Sequence, residues 1–126
     1  MTEQSDWEEV RELETRVQRG ESLELTEAVS TLLLRVARQV AIPDDEASKG
    51  LRSPMDAAAL VSEISRRIRE GSRRLSRALV DAERRRAAGD VKGARELLER
   101  VLAVEVIPLY RRSAQVTLDA LQDPSG

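Results

Sequence analysis

Apolar residues recur every three or four positions along nearly the whole of this chain, and nowhere do they alternate with period two for long. That spacing lays them along one face of an α-helix and denies a sheet its in-and-out pattern. Residues 22–25 alternate briefly, too briefly for a strand. Glycines and prolines cut the stripes where helices end. The chain is therefore expected to be all-α: a single compact bundle of five or six helices. Its 126 residues suit one domain spanning 1–126, with an ordered core from about 6 to 121 and short tails. With 40% hydrophobic and 35% charged residues, the helices have one modest core to share and charged faces to turn to solvent.

The punctuation predicts the elements. Ser5 and Glu8 have the spacing of a capping box, after which Trp7, Val10, Leu13 and Val17 share a face and Gly20 is a natural stop. Trp7 is expected in the core, with a partner-facing anchor as the alternative. Thr26 is placed to cap a second helix carrying Val29, Leu32, Leu33, Val36, Ala37 and Val40, which Ile42-Pro43 ends. A single turn follows, with Asp44 as cap and Gly50 as stop. Ser53, Pro54 and Asp56 then make a strong helix start. From there Val61, Ile64, Ile68, Leu75, Leu79 and Ala82 keep one phase across Gly71-Ser72, which favours one long helix over 54–88 rather than two joined at that pair. Inside such a helix Gly71→Ala is expected to be neutral or stabilising; a positive φ at Gly71 makes it destabilising. Gly71 is also a place for a neighbouring helix to approach closely. Ala88-Gly89-Asp90 is a stop followed by a cap, and Ile107-Pro108 separates the last two helices. Tyr110 is expected in the core or at its edge.

Catalysis finds few tools here. There is no histidine and no cysteine, so Ser-His and Cys-His nucleophile systems, thiolate metal sites and HExxH zinc sites are excluded. Neither glycine-rich phosphate cradle is present. The paired acids Glu8-Glu9 and Asp44-Asp45 lie in charged, wet stretches that do not raise a carboxyl pKa. No catalytic residue, cofactor, metal or small-molecule substrate is expected. No apolar run approaches the roughly 20 residues of a bilayer span, and residues 1–9 are acidic, so the expectation is a cytoplasmic protein without membrane contact.

One charge feature stands out. Residues 66–86 hold nine arginines against Glu70, Asp81 and Glu83, whereas the whole chain has a net charge of −2. Arg66, Arg67, Arg73, Arg74, Arg77, Arg84 and Arg85 are the candidate interaction surface. Three readings stay open: a solvated helix face, docking against acid inside the molecule or on a partner, and contact with a phosphate backbone. Residues 1–25, with eight carboxylates and three arginines, supply acid internally. Few aromatics interleave the arginines, which leaves base stacking unsupported.

Two resemblances add to this. From Gly71 to Leu121 the A-G-D turn at 88–90, the Gly93-Ala94 and Leu98 spacing, Pro108 and the Tyr110 helix are locally similar to a tetratricopeptide-type hairpin, although Pro108 falls about two residues late and no second copy follows. The whole span from Asp6 to Leu121 resembles the DUSAM-domain family, small paralogous domains found largely in myxobacteria. The residues that carry this are Asp6-Trp7, Leu23-Glu24-Leu25-Thr26, VARQVAIPDDEA at 36–47, LRSP at 51–54, EISRRIREGSRRLSRAL at 63–79 and AAGDVKGARELLERVLAVEVIPLY at 87–110. The resemblance implies a bacterial helical domain and no activity. The expected function is a non-catalytic interaction or regulatory module that binds another protein or itself; the alternative is nucleic-acid or other polyanion binding through the arginine face of 66–86.

Overall fold

The computed structural model describes residues 3–121, and the expected C-terminal tail lies outside them. The described residues form six helices and no strand: α1 (Glu3–Gln18), α2 (Glu27–Gln39), α3 (Asp44–Lys49), α4 (Pro54–Ala87), α5 (Val91–Val104) and α6 (Pro108–Leu121). The all-α expectation holds, and α4 is the long helix read across Gly71-Ser72. No helix among the described residues is long and apolar enough to cross a membrane. The chain divides into two compact units, residues 1–68 and 69–126, with the boundary inside α4.

In the first unit the apolar stripes close as their spacing predicts. Trp7, Val10 and Leu13 of α1 are buried, as are Leu32, Leu33, Val36 and Ala37 of α2 and Val61 and Ile64 of α4. Polar groups fix α1 on α2. Asp6 is buried, and its carboxylate accepts from Arg35 Nε at 2.9 Å and Arg35 Nη2 at 3.0 Å. Gln39 Nε2 donates to the same carboxylate at 3.2 Å, while Trp7 Nε1 donates to Gln39 Oε1 at 2.8 Å. The indole thus keeps its hydrogen bond while its ring is buried. The Arg35 hydrogen bond, followed by that from Gln39, holds the Asp6 carboxyl below the ordinary carboxylate range.

Two expected caps are corrected. α1 begins at Glu3, so Ser5 lies inside the helix rather than at its cap; Glu3 and Asp6 place acid in the first turn, where the helix dipole favours it. At α3 the N-cap is Pro43, whose side chain has no acceptor to give a cap bond; Asp44 is the first helical residue, and its carboxylate accepts from Arg38 Nε at 2.9 Å. The other caps form as read. Thr26 accepts from Val29 N at 3.1 Å, Ser53 from Asp56 N at 3.1 Å and Asp90 from Gly93 N at 2.8 Å.

The second unit is a helical hairpin plus α6. Leu75, Ala78 and Ala82 of α4, Ala94, Leu98 and Val101 of α5, and Ala114 and Leu118 of α6 form one buried cluster, with Tyr110 half-buried against it. Arg85 meets Asp90 at 3.2 Å at one end of the hairpin, and Arg74 meets Glu105 at 3.0 Å at the other, so α4 and α5 run antiparallel. Buried Glu105 organises the α5–α6 corner. Its Oε1 accepts from Arg74, and its Oε2 accepts from the backbone N–H groups of Val106 and Ile107 at 3.0 and 3.1 Å. In return Arg111 Nη1, from α6, donates to the carbonyls of Leu102 and Glu105 that α5 leaves open.

Gly71 lies under this corner, and the expected effect of Gly71→Ala is corrected. The helix is continuous and Gly71 has no positive φ. A Cβ there, however, falls 2.7 Å from Tyr110 Cδ2 and 2.8 Å from Glu105 Oε1. The glycine admits a close neighbour, so its replacement overpacks the site even though helix propensity favours alanine.

Candidate functional site

The arginines of 66–86 separate by what they touch. Arg67 reaches back over α2, donating from Nη1 to the carbonyls of Val40 at 3.0 Å and Ala41 at 3.1 Å. It thereby closes the negative end of that helix with a cation. Arg67 Nε also meets Glu63 at 2.8 Å, as does Arg66 Nη2 at 2.7 Å. Arg66 and then Arg67 hold the Glu63 carboxyl below its usual range. Arg74 is committed to Glu105. Arg84 lies 3.9 Å from Asp81, and Arg85 pairs with Asp90. The Asp90 carboxyl is lowered first by the Gly93 backbone N–H and then by Arg85. The acids that meet these arginines thus come from α4 itself and from the helix junctions, while Asp6 of the acidic N-terminal segment holds Arg35.

Arg73 and Arg77 differ. Both are exposed, and neither has a hydrogen-bond or ion-pair partner among the described residues. They sit one helical turn apart on one rim of a groove of about 640 Å³ between α4 and α5. Arg100 of α5, also exposed and unpaired among the described residues, lines the same groove. Its apolar lining is Ala78, Leu97, Val101 and Val104, and Val104 is 59% exposed. Glu70 and Asp81 bracket the arginines along α4. The groove is an open, cationic, apolar-floored slot.

Arg100 was missed in the sequence, although a signal existed. Leu97, Arg100, Val101 and Val104 share a face of α5 by spacing. Reflecting the hairpin about Gly89 sets Arg77 opposite the Arg100–Val101 stretch. Only the register of the hairpin, not the composition of either helix, brings the three arginines to one groove.

A second cleft, of about 470 Å³, opens in the first unit. Its charges balance, with Glu46, Asp56 and Glu63 against Lys49, Arg52 and Arg67, and it has no net preference for ligand charge. Among the described residues no three carboxylates gather as a metal site. Among the described residues the carboxyls displaced from their ordinary ionisation, namely Asp6, Asp44, Glu63, Glu83 and Asp90, are all displaced downward. A general acid near neutral pH requires the opposite shift.

In comparison with known proteins, the model of a family described as Protein of unknown function (DUF2379) matches residues 5–121. The chain belongs to that family. No curated protein and no solved structure matches it. The DUF2379 match takes in every helix from the first turn of α1 to the end of α6, and so includes the groove, its arginines and the Glu105 corner.

Proposed function

We propose that this DUF2379 chain is a non-catalytic interaction module that binds another protein through the α4–α5 groove of its second unit. One observation carries the reading: Arg73, Arg77 and Arg100 line a groove with an apolar floor and have no acid partner among the described residues. Like charges gathered on one low-dielectric wall repel each other and are relieved by an acidic partner. The downward displacement of the carboxyls supports a role outside acid–base catalysis. The single domain read from the sequence belongs to this proposal and is supported by a family match that runs unbroken from 5 to 121. The DUSAM resemblance belongs to it too, and with it a bacterial origin; a cytoplasmic setting also belongs to it and fits the absence of cysteine. The tetratricopeptide-type likeness carries no weight in it.

The test is affinity capture by the full chain after nuclease treatment, compared with an Arg73→Glu/Arg77→Glu/Arg100→Glu variant of unchanged helicity. The expected result is a nuclease-resistant protein set that the variant loses. Equal recovery by the variant refutes the groove. Recovery that disappears with nuclease refutes the protein-binding reading in favour of nucleic acid.

A further inference from the structure

We infer that the occupant of the α4–α5 groove is an acidic amphipathic helix of about three turns from another protein, an inference that rests on the interaction-module reading above. Four features of the groove select it.

The first is charge: an occupant has to answer Arg73, Arg77 and Arg100, which have no acid partner among the described residues. The second is the floor. Leu97, Val101 and Val104 meet only the apolar face of a ligand, so the occupant brings apolar side chains along the same line as its acids. The third is the hydrogen-bonding of the walls. Both are helices, whose interior N–H and C=O groups are already paired. An extended peptide laid there gains no backbone hydrogen bonds from the walls, whereas a helix brings its own. The fourth is length. The α4 rim runs from Glu70 to Asp81, which at about 1.5 Å per residue is roughly 16 Å, or three helical turns.

Other occupants fit less well. A second copy docked through the same face sets arginine against arginine. The acidic α1 of a second copy offers Glu8, Glu9 and Glu12, but the apolar side chains of that helix, Trp7, Val10 and Leu13, are already buried in their own unit. A nucleic-acid strand running the length of the groove carries a phosphate at every step and so sets some against Glu70 and Asp81, whereas a helix can place its acids opposite the arginines alone; the strand also finds no aromatic to stack on.

The experiment selects randomised peptides of about 16 residues, slightly longer than the groove, on the full chain. Enriched peptides are expected to carry Asp or Glu together with Leu, Ile, Val, Met or Phe at three- and four-residue spacing, and to gain helical circular dichroism on binding. Binding is expected to weaken about tenfold or more for Arg77→Glu and for Val104→Asp, to fall as salt rises, and to be unchanged for Arg112→Glu on the exposed face of α6. Selected peptides lacking acids, lacking the apolar spacing or binding the Arg77→Glu variant equally well overturn the inference. So does tighter groove-dependent binding of a single-stranded thymidine oligonucleotide. If the nuclease-resistant partner still depends on the three arginines while no acidic amphipathic peptide binds, this inference falls and the module reading stands. If that dependence is absent as well, both fall.

Discussion

Three helices close with the same pattern of backbone hydrogen bonds, and only one does so without glycine. After α1, Gly20 N donates to Val17 O and Glu21 N to Arg16 O, with Gly20 at φ +87°. After α4, Gly89 N donates to Arg86 O and Asp90 N to Arg85 O, with Gly89 at φ +85°. After α2, Ala41 N donates to Arg38 O and Ile42 N to Ala37 O, but the left-handed residue is Ala41 at φ +64°. An L-residue there costs about 1–2 kcal/mol, and glycine returns part of the gain, about 0.4–1 kcal/mol, through the entropy of the unfolded chain. Ala41 is exposed, and Arg67 grips its carbonyl rather than its side chain. Ala41→Gly is therefore expected to stabilise the protein by roughly 0.5–1 kcal/mol. A urea midpoint that does not rise refutes this. Gly71 works in the opposite sense. Alanine there gains about 1 kcal/mol of helix propensity and loses about 1–3 to overpacking. Glu105 is pinned by Arg74 and two backbone N–H groups, and Tyr110 packs against the core, so neither has room to withdraw. Gly71→Ala is expected to destabilise by about 1 kcal/mol or more, and to destabilise less in a Tyr110→Ala background, where only the Glu105 contact remains. Destabilisation of undiminished size in that background refutes the contact with Tyr110 as its cause.

Between elements, the decisive contacts join residues that no single helix pattern connects. α1 docks on α2 through an asymmetric ion pair. The Asp6 side chain is 4% exposed, whereas that of Arg35 is 41% exposed. Removing the arginine strands a carboxylate out of water, while removing the carboxylate leaves a guanidinium that solvent reaches. Arg35→Ala is thus expected to cost about 2 kcal/mol and Asp6→Asn nearer 1 kcal/mol, the second discounted for screening at Arg35. The reverse order in thermal denaturation refutes this account. The same distinction explains what was legible beforehand. Helix type, number and most caps follow from periods and caps written within ten residues of one another, and Thr26, Ser53, Gly89 and Asp90 act as read. Even the continuity of α4 through Gly71 was visible as phase. The purpose of Gly71 was visible only as an option, since it depends on where Tyr110 and Glu105 arrive from α6 and the α5–α6 link. Of the candidate surface, Arg73 and Arg77 line the groove with no partner among the described residues. Arg67 and Arg74 are drawn to a helix end and a buried carboxylate by partners 26 to 31 residues away. Arg100 joins from a stretch whose local charge is unremarkable in the sequence, because hairpin register is a tertiary property.

At the scale of the whole molecule, the titrating groups set a simple acid limit. Asp6, Asp44, Glu63, Glu83 and Asp90 all ionise more readily in the folded state, chiefly through arginine hydrogen bonds and, at Asp90, the Gly93 backbone N–H. A carboxyl lowered by folding contributes stability that is fully present above its unfolded pKa, about 3.9 for Asp and 4.3 for Glu. That stability is lost as pH falls through the lower folded value. Four of these carboxyls sit in solvent-accessible pairs and contribute little each, whereas the Asp6 side chain is buried and its pair is less screened. Protonating the acids also leaves 21 Lys and Arg charges uncompensated, and their self-repulsion acts in the same direction. Toward neutral pH there is no counterpart. With no histidine and no cysteine, no side chain has an ordinary pKa between about 5 and 8. The thermal midpoint is therefore expected to be nearly constant from about pH 5.5 to 8 and to fall steeply below about pH 4. Asp6→Asn is expected to start from a lower plateau and to fall less steeply, because a buried carboxyl lowered by folding is gone. A wild-type optimum confined to a narrow band near neutrality contradicts this assignment, since no side chain in the sequence has an ordinary pKa in that band.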